Sequence, residues 1–173
     1  MLDKDIPAEI MDQFVFPKTE NETPEEKIAF AAQMDALLAR EQILSIMEEQ
    51  GCLKHKHSAE SMLKFEGKTV RERIEILNSL SKRHELYSEL NDDGTLSISW
   101  GYEANDKYRC VCPIMEQLSK STTVSITFCG CCSGHIKYHF EQDLGVKLRL
   151  LETVSSPLSS NGGKHCEHRY EII

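Results

Sequence analysis

Seven consecutive residues, Cys129-Gly130-Cys131-Cys132-Ser133-Gly134-His135, hold three thiols and an imidazole. Cys110 and Cys112 lie shortly upstream and Cys166 lies near the C-terminus, so six of the seven cysteines fall in the last part of the chain. Soft thiolates and imidazoles are the donors that zinc and iron–sulfur centres select. A single buried cysteine is ordinarily a small hydrophobe. Six gathered around a histidine make a metal set the better reading. The odd total argues against a complete set of disulfides, and the acidic start Met1-Leu2-Asp3-Lys4-Asp5 has no basic, apolar leader. A cytoplasmic protein with reduced thiols is expected.

The chain of 173 residues is long enough for one domain with a real core. It is 40% hydrophobic and 28% charged, in the ordinary globular range. Its net charge of −8 sits entirely in residues 1–94, while residues 95–173 carry equal numbers of acids and bases. No basic stripe offers itself to phosphates, which excludes nucleic acid as an expected partner. No apolar run is long enough for a bilayer, so no membrane is expected either.

A single domain is expected, with an N-terminal arm over 1–22, a helical part over 23–94 and an α/β metal-binding part over 95–173. Thr23-Pro24-Glu25-Glu26 and Thr69-Val70-Arg71-Glu72 are capping boxes that start helices. The first helix carries Phe30, Met34, Leu37, Leu44 and Met47 at helical spacing and ends at Gly51. A short helix is expected over 58–65, and a further helical stretch runs to Leu90, before the turn Asn91-Asp92-Asp93-Gly94.

Beyond that turn the period changes. Leu96, Ile98, Trp100 and Tyr102 alternate with small residues as in a half-buried strand, with 107–112 its expected partner. Pro113 opens an expected short helix to Leu118. Val124, Ile126 and Phe128 alternate as a third strand that delivers Cys129 to a turn. A helix follows over 132–144, stopped by Gly145, then strands over 146–151 and 165–173. The fold class is therefore α+β, N-terminal helices packed on a mainly antiparallel sheet, with a helix after the CGCCSGH turn.

Within that layout Cys129 and Cys132 form a C-x2-C pair across a strand-to-helix turn, and Cys132, His135 and His139 share a helix face. Cys166, His168, Tyr170 and Ile172 share a strand face. The expected zinc ligands are Cys112, Cys129, Cys132 and Cys166, with His135 able to replace a thiol and Cys110 in reserve. Iron or an iron–sulfur centre ranks lower, because C-x-C-C is not a standard cluster spacing. Trp100, Tyr102 and Phe128 are expected to line an adjacent small-molecule pocket. His55, His57 and His84 read as surface or core-satisfied rings, and Cys52 as an inert thiol.

Two other chemistries use the same residues. In a hydrolase, a zinc-bound water or a thiol would attack a small cyclic amide-like substrate. Cys131 or Cys132, at a helix N-terminus, would be activated as the nucleophile, and His139 or His135 would be the base. In a redox or ligand sensor, the vicinal Cys131–Cys132 pair would oxidise and release metal.

From Cys129 to Cys166 the chain runs Cys129-x-Cys131-Cys132-x-Gly134-His135, Phe140-Glu141-x-x-Leu144-Gly145, Leu150-Leu151-Glu152, Ser156 and Gly162-Gly163-x-x-Cys166. Residues 108–173 resemble the L-2-amino-thiazoline-4-carboxylic acid hydrolases and the related vinyl-4-reductase-type ligand-binding domains. The resemblance implies an antiparallel sheet packed with helices and a small-molecule pocket, often in a homodimer. It also implies that Cys166 is a zinc-ligand or active-site candidate, and that the reaction opens a thiazoline ring.

Overall fold

The computed structural model describes residues 6–17, 23–52, 54–81, 86–113, 115 and 124–173. His84, residues 114 and 116–118 of the helix expected after Pro113, and parts of the arm lie outside them. The α+β class holds: helices pack on a four-stranded antiparallel sheet of order β1-β2-β6-β5. Its strands are β1 (Leu86–Leu90), β2 (Leu96–Trp100), β5 (Leu148–Ser155) and β6 (Cys166–Ile172). A separate small hairpin joins β3 (Tyr102–Glu103) to β4 (Tyr108–Arg109). Among the described residues no helix is long and apolar enough to cross a membrane.

The arm forms a single turn, α1 (Ala8–Met11), and packs on α2 (Pro24–Leu37). Phe14 is buried with its ring 5.5 Å from Phe30, and Val15 is bonded through both its main-chain N–H and its carbonyl to the Gln33 side chain. Both expected capping boxes form: Thr23 with Glu26 opens α2, and Thr69 with Glu72 opens α5 (Val70–Leu80). The long helix expected up to Gly51 is two helices. It breaks at Leu38 and Ala39, whose backbones are extended, and α3 (Arg40–Glu48) starts where the Gln42 side chain accepts the Ala39 N–H. The short helix over 58–65 is a turn of α4 (Ala59–Met62) continued by a 3-10 turn at Leu63–Phe65.

Two element types differ from the periodicity. The stretch ending at Leu90 is strand β1, not helix. Ser88 at its centre is buried, and Asn78 of α5 binds its N–H, its hydroxyl and its carbonyl. An amide ten residues earlier thus satisfies a strand that sequence spacing reads as helix. The second difference is larger. Residues 126–128 are not a strand but the first turn of α6 (Ile126–Leu144). Ser125 caps that helix by accepting the Thr127 N–H, and Asp35 of α2 accepts both the Ser125 and the Thr127 hydroxyls. A carboxylate ninety residues upstream converts an alternating Val-Ser-Ile-Thr-Phe run into a helix start. The CGCCSGH stretch therefore lies inside the helix instead of in a turn before it.

α6 is the centre of the molecule, touching α2, α3, α5 and β5. Ile136, Phe140 and Leu144 on it are buried with Leu96, Ile98, Leu148, Leu150 and Tyr170 of the sheet. The Tyr170 hydroxyl donates to the Ser133 carbonyl at 2.8 Å, tying β6 to α6. Gly130 and Gly134 let α3 approach without side chains between: a Cβ at Gly130 would meet Met47 Cγ at 2.6 Å. Gly145 ends α6 in the left-handed conformation, as expected.

Candidate functional site

The α3–α6 contact places the chain after α3 beside the cysteine-bearing turns of α6. A Cβ on Gly51, whose φ is +140°, would press within 3.0 Å of the His135 backbone. This close approach carries Cys52 to the mouth of a cavity of about 520 Å³. All seven cysteines line it: Cys52, Cys110, Cys112, Cys129, Cys131, Cys132 and Cys166. They arrive from four segments: the exit of α3, the chain after β4, α6, and the start of β6. Phe16, Phe30, Met34, Met47 and Phe128 supply much of the apolar wall. Phe128 thus lines the cavity as expected, but Trp100 and the exposed Tyr102 do not.

The cysteines are free thiols. Burial pushes those of Cys129 and Cys166 up to about 12. It raises Cys110 and Cys131, and raises Cys132 further still, with the charges of Cys131, Cys166, Cys112 and Cys129 adding to the effect. Cys129 Sγ donates to Ser156 Oγ at 3.1 Å, and the Cys112 N–H donates to Cys110 Sγ at 3.4 Å. Apolar surroundings, and the repulsion their anions would suffer, keep Cys110, Cys129, Cys131, Cys132 and Cys166 as neutral thiols at ordinary pH. Activation by a helix N-terminus does not operate here. Cys131 and Cys132 lie in the second turn of α6, past the reach of the terminal dipole. Nor can Cys131 use His139 as a base, because eight residues of one helix separate them by roughly 12 Å along the axis.

The imidazoles gather elsewhere. Among the described residues, the group of three or more His, Cys, Asp or Glu whose donor atoms lie within 4.8 Å of one another is His55, His57 and His139. His57 Nε2 lies 2.8 Å from His139 Nδ1, and His57 Nδ1 lies 3.0 Å from Asp143 Oδ1. The His57 N–H of the main chain donates to Gln142 Oε1. His135 turns toward this cluster, its ring 4.7 Å from that of His139, with Nδ1 buried and unpartnered. Burial, followed by the charges of His139, His55 and Lys54, holds its pKa below the ordinary histidine value.

His55 and His57 are therefore not merely surface or core-satisfied rings. The only local signal of the cluster is the spacing His55-x-His57, which lies more than 70 residues before the cysteine motif. His135 and His139 do share a helix with Cys132, but that helix leads from the thiol cavity to a separate imidazole group.

No family model and no curated protein matches the chain. One solved structure is similar in outline, a trafficking protein particle complex subunit 3 from Naegleria fowleri covalently bound to palmitic acid. It is 12% identical, with a TM-score of 0.38, over 89% of this chain and 84% of that one.

Proposed function

We propose that this protein binds a soft cation, zinc foremost, through thiols of the cavity, and that a small apolar molecule fills the remaining space. The observation that carries this reading is the convergence of every cysteine on one largely apolar cavity. Cys112, Cys129, Cys132 and Cys166 are the proposed ligands. All four line the cavity, and among the described residues no three thiols come within 4.8 Å of one another, so metal binding would draw them together. Cys110, beside Cys112, stands in reserve. The donor chemistry suits the group: thiolates are the ligands of closed structural zinc sites.

A cation would let these neutral thiols ionise together. Several thiols that repel one another as anions become a favourable set once a dication sits among them. Each ligand gives up its proton on binding, so affinity rises with pH. The apolar remainder of the cavity has the size and lining of a small-molecule site.

Elemental analysis of protein purified without added metal tests the reading, with Cys129→Ser and Cys166→Ser alongside. The expected result is bound metal that falls in both variants. Undiminished metal content in both would reject the ligand assignment.

A further inference from the structure

A group of three imidazoles stands apart from the thiols, on α6 and the chain between α3 and α4. We propose that His55, His57 and His139 bind a divalent first-row metal ion, with Asp143 orienting His57 and a water completing the coordination.

The three rings come from two segments. His55 and His57 sit two residues apart in the stretch between α3 and α4, and His139 is presented by α6. Their donor atoms fall within 4.8 Å of one another, and small ring movements bring them to the roughly 3.4 Å that separates two nitrogens on a tetrahedral ion at metal–nitrogen lengths of about 2.0–2.1 Å. The rings of His55 and His139 are 4.7 Å apart and those of His57 and His139 are stacked at 5.0 Å.

The carboxylate supplies the independent observation. Metal-bound histidines ordinarily donate the second ring N–H to a carboxylate or carbonyl, which fixes the tautomer. Asp143 Oδ1 accepts from His57 Nδ1 at 3.0 Å, which leaves the Nε2 lone pair of His57 aimed at His139. Without metal the two nitrogens share one hydrogen bond, which His139 Nδ1 donates when His57 carries its proton on Nδ1. On binding, His139 moves its ring proton to Nε2 and offers Nδ1, so no net proton is released. His57 is tied down further by its main-chain bond to Gln142, one residue before Asp143 on α6.

The donor set selects the ion. Three neutral imidazoles suit zinc, nickel, cobalt or copper(II) and do not suit calcium or magnesium, which take oxygen ligands. His55 is exposed, which leaves a coordination position open to water. Three histidines with an open position differ from the closed thiolate set proposed for the cavity. Seven residues of α6 separate Cys132 from His139, roughly 10 Å along the axis, so the two sites hold different ions.

Titration with zinc against a chromophoric chelator tests the site on five proteins: the native chain, His55→Ala, His139→Gln, Asp143→Asn and the double variant Cys129→Ser/Cys132→Ser. His55 lies outside the helices and strands, so its variant keeps the fold, checked by far-ultraviolet circular dichroism. One equivalent of zinc is expected to be lost from each histidine variant and retained by the double cysteine variant. Cobalt bound to the double variant is expected to show d–d bands without thiolate charge transfer. Asp143→Asn is expected to keep the stoichiometry and weaken binding about 10- to 100-fold. Unchanged stoichiometry in both histidine variants would overturn the proposal. So would a double cysteine variant that binds no zinc or cobalt. Loss of the thiol-bound metal alone would leave this site standing.

Discussion

Gly134 of α6 lies so close to Gln50 that a Cβ on the glycine would come within 2.1 Å of the Gln50 carbonyl oxygen, and within 2.6 Å of that of Met47. The obstacles are main chain, so no rotamer change relieves them. Gly134→Ala must push the exit of α3 away from α6 and is expected to cost at least about 1–3 kcal/mol. Urea unfolding measures it. Because the same exit carries Cys52 and leads on to His55 and His57, the variant is also expected to weaken zinc binding at the histidines. A stability equal to the native protein's would contradict the close packing.

Asp35 accepts the hydroxyls of Ser125 and Thr127 and so defines where α6 begins. Ser125→Ala removes the side chain that caps the helix and is expected to cost about 1 kcal/mol in the same assay. Asp35→Asn is expected to act in the same direction, and the double variant to lose less than the sum, since both touch one network. Strict additivity would mean that the two groups act separately.

Tyr170 is fully buried, with its hydroxyl donating to the Ser133 carbonyl. Tyr170→Phe leaves that carbonyl without its tyrosine partner and is expected to lower stability by about 1 kcal/mol while preserving the sheet. A neutral result by chemical denaturation would show that the bond adds nothing beyond the ring's packing.

His168 sits beneath the sheet with no exposed surface, and burial lowers its pKa to about 4. Its unfolded value is about 6.5, so below that pH the unfolded chain takes up a proton that the folded one refuses. Stability from this residue is complete above about pH 6.5, declines as pH falls, and is gone below the folded value, a loss of about 3 kcal/mol in all. Unfolding free energies from pH 7 to 4 should show this slope, reduced in His168→Gln. Identical slopes in the two proteins would contradict it.

The sequence states local matters well. The Thr23 and Thr69 capping boxes, the Asn91–Gly94 turn and the Gly145 stop are each written in a few adjacent residues, and each forms; the strand expected over 96–102 ends at Trp100, and its partners are β1 and β6 in place of 107–112. Where long-range contacts decide, local pattern misleads. Residues 126–128 alternate like a strand but join a helix because Asp35 reaches their N-terminal end. Leu86–Leu90 reads as helix but is a strand docked by Asn78.

The site divides the same way. Cysteine clustering pointed to one location, and the fold adds even Cys52 to it. The imidazole group needed His55 and His57 brought to α6 from a separate segment, and the glycines that make that approach possible carry no chemical signature of their own.

X-ray absorption at the zinc edge reads the ligands of the bound ion directly. A sulfur shell at about 2.3 Å is expected in the native protein and not in Cys129→Ser/Cys132→Ser, with a separate nitrogen shell at about 2.0–2.1 Å from the histidines. Zinc bound through nitrogen and oxygen alone in the native protein would contradict the thiol-lined cavity as a metal site.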